Sequence, residues 1–151
     1  MMNKMKKGAG FTLIELLVVI AIIGLLSTLS LVALNVARQK ARDALRTADV
    51  KQIMTALELY YNDQGSYPAS GSFSTTTPLK VGSTTYMGQI PQNPKPYQDG
   101  WCSTSASGVG TDFVYALNGA SSYTIKYCLA GGSGGLLRGP HTATPNGIGN
   151  P

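Results

Sequence analysis

The sequence predicts an α+β chain, with one helix of about 50 residues at its head and a small antiparallel β-sheet after it. Three observations predict this. Leu16 to Ala37 is a run of 22 residues without a charge, and it continues into a charged stretch that keeps a helical period. No Pro or Gly interrupts Leu25 to Gln64. Further on, Tyr123, Ile125, Tyr127 and Leu129 alternate with Thr124, Lys126 and Cys128, the period of a half-buried antiparallel strand.

Composition narrows the class. The chain has 151 residues, 43% of them hydrophobic and only 13% charged, against roughly 25% charged in ordinary soluble domains. The apolar share sits in the first third, which points to a membrane. Formal net charge is +5, but Lys4, Lys6 and Lys7 supply three of those charges. From Phe11 onward, nine basic residues face seven acidic ones, and no basic stretch alternates with aromatics as a nucleic-acid groove would require. Two cysteines and one histidine make neither a zinc quartet nor a CxxC motif, so no cofactor is expected from composition.

The elements follow in order. At about 1.5 Å per residue, 22 helical residues reach roughly 33 Å, enough to cross a hydrocarbon core of about 30 Å. The run exceeds the apolar stretch of about 7–15 residues in a secretory signal. An uncleaved anchor is therefore the plain alternative to anything more specific. Over residues 38–64 the helix becomes amphipathic. Ala41, Leu45, Ala48, Gln52, Ala56 and Leu59 share a face, and Lys40, Asp43, Arg46 and Asp49 alternate in sign at three-residue steps, each pair worth a few tenths of a kcal/mol on a helix surface. Gly65 can supply the left-handed cap, and Pro68 prevents the helix from resuming.

Residues 65–130 read as a β-rich head. Ser70 to Thr77 is a loop, Thr84 to Met87 a short strand, and Ile90 to Pro96 is broken by prolines. Phe113 to Leu117 and Tyr123 to Leu129 form a hairpin opened by Asn118-Gly119. Residues 131–151 hold seven glycines and three prolines and are expected to be a disordered tail.

The segment Lys6-Lys7-Gly8-Ala9-Gly10-Phe11-Thr12-Leu13-Ile14-Glu15 resembles the prepilin processing motif of type IV pilins and type II secretion pseudopilins. Its basic leader, Gly10, Phe11, Glu15 and long apolar run are all present. Tyr60 to Pro68 is similar to the helix end of G-like major pseudopilins. The resemblance covers roughly the first 70 residues and implies a pilin fold. It also implies a leader (residues 1–10) cut by a prepilin peptidase between Gly10 and Phe11, with N-methylation of Phe11. Residues 11–37 would then be the transmembrane and assembly half of the helix, and residues 38–64 its amphipathic half. The chain departs from many pilins in having no proline near Val32, although it keeps Gly24.

Glu15 reads in two ways. It is either a wetted interfacial carboxylate or an assembly residue facing the Phe11 ammonium of a neighbouring subunit, each cancelling a charge that apolar packing penalises. Lys4, Lys6 and Lys7 favour a cytoplasmic leader, and Arg38, Lys40 and Arg42 oppose this from the other flank. The motif decides for a head outside the membrane. In an oxidising compartment Cys102 and Cys128 are candidates for a disulfide, the alternative being two buried thiols. Asp99 and Asp112 are weak calcium candidates, because major pseudopilins bind calcium in a C-terminal loop and no dense acidic run accompanies them here. His141 reads as solvated in the tail, and Trp101 as packing.

The resemblance implies a structural filament subunit rather than an enzyme, from a type II secretion pseudopilus or a type IV pilus. Its implied partners are the prepilin peptidase, identical and related pilin subunits, the inner-membrane assembly platform and, before assembly, membrane lipid. A DNA-uptake or adhesion pilin with a ligand-binding head is the alternative. A membrane-anchored enzyme lacks any Ser/His/Asp or Cys/His set.

Overall fold

The computed structural model describes residues 10–74, 77–97, 102 and 113–150. Helix α1 runs over Leu13–Gln64. A short 3-10 turn, Ser70–Ser72, follows it. The strands are β1 (Leu79–Val81), β2 (Thr84–Met87), β3 (Val114–Leu117), β4 (Tyr123–Leu129), β5 (Gly139–Thr144) and β6 (Gly147–Gly149). This is the α+β architecture expected. The chain divides into two compact units at Ala37/Arg38.

In the first unit the helix surface is apolar and exposed. Every described residue there is exposed, including Ile14, Leu16, Ile20, Ile23, Leu26 and Val32. The helix is long and apolar enough to cross a membrane. Ser27, Thr28 and Ser30 return their hydroxyls to the carbonyls of Ile23, Leu25 and Leu26, which removes three polar groups from that surface.

The second unit is the head. Its strands form two antiparallel sheets, a β1–β2 hairpin and a sheet ordered β3-β4-β5-β6. The helix stops where expected. Gly65 takes φ 71° and donates its N–H to Tyr61 O at 2.8 Å. One core joins Val50, Ile53, Ala56 and Leu57 of α1 to Tyr123, Ile125, Tyr127 and Leu129 of β4. Each such fully buried aliphatic contributes about 1.5–3 kcal/mol. β4 lies between β3 and β5, pairing Tyr115 with Ile125 on one side and His141 with Tyr127 on the other.

Three expectations are corrected. The packed helix face is not the Ala41–Leu45–Ala48–Gln52–Leu59 stripe, of which every residue is exposed; only Ala56 of that set is buried. The buried face is Asp43, Arg46, Thr47, Val50, Ile53, Ala56 and Leu57, about a third of a turn or more away. Asp43 and Arg46 are therefore core residues, 0% and 1% exposed, rather than surface charges. Residues 131–150 are not a disordered tail, because β5 and β6 complete the four-stranded sheet. Gly139, His141 and Ala143 point inward along β5 while Pro140 and Thr142 face out.

Candidate processing and assembly site

The helix start is built from Phe11, Thr12 and Glu15. Phe11 is exposed and Thr12 immediately precedes the first helical residue. Thr12 donates its backbone N–H (2.8 Å) and its hydroxyl (2.6 Å) to Glu15 Oε2. The Glu15 N–H donates back to Thr12 Oγ1 at 3.3 Å. This reciprocal pattern is a capping box, with Thr12 as N-cap and Glu15 three residues on. The sequence carries its signal as Thr12-x-x-Glu15. Both intrachain bonds land on Oε2, so Oε1 has no partner within the described residues. The carboxylate thus serves the helix start through Oε2.

Gly10 is not required by the fold. A Cβ built there meets nothing within 4 Å, and its φ lies outside the left-handed region. Gly24 is likewise open, although a mid-helix glycine costs about 1 kcal/mol relative to alanine. Neither glycine is explained by the chain's own packing. Both suit close approach by another molecule.

In the head, the buried charges organise the loops. Arg46 Nη1 donates to Asp43 Oδ1 at 2.8 Å. Its Nε reaches Asn93 Oδ1, and its Nη2 reaches the carbonyls of Pro94 and Pro96. Asp43 accepts the N–H groups of Ala130 (3.0 Å) and Gly131 (2.7 Å). Cys102 and Cys128 form a disulfide with their Cα atoms 5.7 Å apart.

His141 is corrected from a solvated tail residue to a buried one on β5, stacked on Tyr127. Its Nδ1 lies 2.9 Å from Gly149 O and its Nε2 2.7 Å from Leu137 O, and a neutral ring donates its single N–H to one of the two carbonyls. Asp99, Asp112 and Trp101 lie outside the described residues. Among the described residues, no three His, Cys, Asp or Glu side chains converge to hold a metal ion.

An aromatic cluster closes the helix end. Tyr67 stacks on Tyr61 at 4.6 Å and meets Tyr123 edge-on at 4.7 Å. The Tyr67 hydroxyl donates to Glu58 Oε1. Burial first, then this bond, pushes its phenol up to about 12. Burial likewise pushes Tyr127 to about 12 and raises Tyr115 and Tyr123. An unfolded tyrosine loses its proton near about 10, so these groups contribute stability that is full below that pH and is lost as pH rises through about 12. Alkaline titration should show tyrosinate absorbance and loss of head structure appearing together above about pH 10. Titration of all tyrosines near their ordinary value with the head intact would contradict this.

Motif, helix and sheet together make the chain similar to pilins. Residues 5–31 match the prokaryotic N-terminal methylation motif. The chain is 38% identical over 76 residues to the type IV wide pilus major component PilA4 of Thermus thermophilus, covering 50% of this chain and 58% of that protein. It is 35% identical over 69 residues to the type II secretion system core protein G of Vibrio cholerae, covering 46% and 47%. It is also 40% identical over 74 residues to the fimbrial protein EcpC of Eikenella corrodens, covering 48% and 46%. The chain thus spans about half the length of these relatives. No solved structure matches it.

Proposed function

We propose that this chain is a structural subunit of a type IV filament-family machine, a type II secretion pseudopilus or a type IV pilus, which polymerises through its N-terminal helix after leader cleavage. The observation that carries the reading is the methylation motif at the start of a helix whose apolar residues are exposed. A prepilin peptidase cuts between Gly10 and Phe11 and methylates the new Phe11 amine; the catalysis is the peptidase's. The membrane holds the helix before assembly. Identical and related subunits, received from an inner-membrane assembly platform, cover it afterwards. The head lies outside the cytoplasmic membrane, where Cys102 and Cys128 can oxidise.

Glu15 supplies the assembly contact. Its Oε2 stays with Thr12 while Oε1 takes the Phe11 ammonium of the next subunit, so two charges enter the apolar bundle as a neutral pair. That pairing also fixes the axial register.

Gly10→Val tests the reading. The fold has room for the side chain, so head and membrane insertion are expected to be normal. A branched Cβ beside the scissile bond crowds the peptidase, so the uncut chain should accumulate in the membrane fraction and sheared filaments should be absent. Normal processing and filament yield in this variant would refute the role of Gly10.

A further inference from the structure

The Asp43–Arg46 pair and the disulfide hold the same two pieces of chain. Arg46 grips the stretch ahead of Cys102 through Asn93 Oδ1 and the Pro94 and Pro96 carbonyls. Asp43 grips the stretch after Cys128 through the N–H groups of Ala130 and Gly131. The disulfide then ties Cys102 to Cys128, and Ala130 packs against both in a small buried cluster. One end of this segment is thus held by the cation, the other by the anion, and the two ends are joined covalently beside them.

We propose that the ion pair and the disulfide form one redox-gated clasp, in which Ala130 and Gly131 close onto Asp43 only after the thiols are oxidised. A buried carboxylate needs its full set of donors, because an unpaired one is strongly penalised. Of the three donor groups on Asp43, two are backbone N–H groups within three residues of Cys128, so their placement depends on where β4 ends. Oxidation is a thiol–disulfide exchange. One cysteine thiolate attacks a disulfide-bearing oxidant and expels a thiolate. The second then attacks the mixed disulfide, giving the Cys102–Cys128 bond and two reduced thiols of the oxidant. Linkage makes the coupling reciprocal: whatever oxidation adds to the clasp, the clasp adds to the stability of the disulfide. The device keeps residues 93–96 and 130–131 off the helix in a reducing compartment and seats them in an oxidising one. It does not rest on the filament reading.

The test uses the full chain in detergent, equilibrated in glutathione buffers of graded redox ratio. Amide hydrogen exchange is read in oxidised and reduced protein. On reduction, the Ala130 and Gly131 amides should lose protection by about tenfold or more, while those of Ile53 and Ile125 keep theirs. Asp43→Asn should shift the thiol–disulfide equilibrium toward the dithiol by about tenfold, as should Arg46→Lys, which keeps the charge and loses the fork. Thr142→Ala, on the exposed side of β5, should leave the equilibrium unchanged. Equal protection of Ala130 and Gly131 in both states overturns the proposal. So does simultaneous loss of protection throughout the head, because the disulfide then supports the whole head rather than the clasp. An unshifted equilibrium in both helix variants overturns it as well.

Discussion

Glu15→Ala is expected to insert into the membrane and to be processed after Gly10, yet to fail in filament incorporation. Removing a carboxylate from an apolar helix lowers its transfer cost, so insertion is maintained or improved. Without that carboxylate, the Phe11 ammonium of the neighbouring subunit enters the bundle unpaired, a loss of about 3–5 kcal/mol. The capping box adds a complication with its own control. Glu15→Ala also removes the acceptor for Thr12 N–H and hydroxyl. Glu15→Gln keeps an oxygen there and removes only the charge. If charge pairing drives assembly, Glu15→Gln fails like Glu15→Ala, and Glu15→Asp is intermediate because its reach is one methylene shorter. If the cap alone matters, Glu15→Gln assembles normally. Sheared-filament yield, measured beside membrane-fraction abundance, separates the two.

The second large effect lies in the head. Asp43→Ala or Arg46→Ala is expected to cost about 3–5 kcal/mol of head stability, because each removes the ion-pair partner of a buried charge. The double variant Asp43→Leu/Arg46→Met is expected to lose less than the sum of the two single losses, since no lone charge remains. It stays below wild type because the Ala130 and Gly131 N–H groups and the Pro94 and Pro96 carbonyls lose their partners. Equilibrium denaturation of the full chain in detergent reads all three. Single variants within about 1 kcal/mol of wild type, the range of a surface ion pair, would show that the pair is not a core element.

The same two residues show where the sequence was legible and where it was not. The end of α1, the strand Tyr123–Leu129 and its hairpin partner could be read because local signals agreed there: Gly65 before Pro68, a period-2 pattern, and Asn118-Gly119. The phase of the helix could not be read. Its core face starts with Asp43, Arg46 and Thr47, while Leu45 and Leu59 are more than half exposed. A periodicity count that equates apolar with buried selects the wrong stripe when loops supply a charged pair with its partners from about 50 to 90 residues away. β5 and β6 were hidden for a different reason. Their inward residues are Gly139, His141 and Ala143, too small or too polar to read as a strand, and Pro140 sits opposite Cys128 in the ladder. Glycine there permits positive φ at Gly139 and Gly147 rather than marking disorder.

At the helix start, the roles expected of Gly10, Phe11 and Glu15 come from a motif rather than from the fold. The bonds that Glu15 makes to Thr12 depend on the rotamer that places Oε2 there. Ala41, Leu45, Ala48 and Leu59, together with the apolar residues of 13–37, are exposed among the described residues. The filament reading gives these residues a partner, a second copy of the same helix.

The most direct test of that reading is the intact mass of the chain recovered from sheared filaments. The account predicts a polypeptide that begins at Phe11 and carries one methyl group on its amine, with none of residues 1–10 attached. Filaments containing the chain with residues 1–10 still attached would contradict it, because no Phe11 ammonium would then exist for Glu15 to meet.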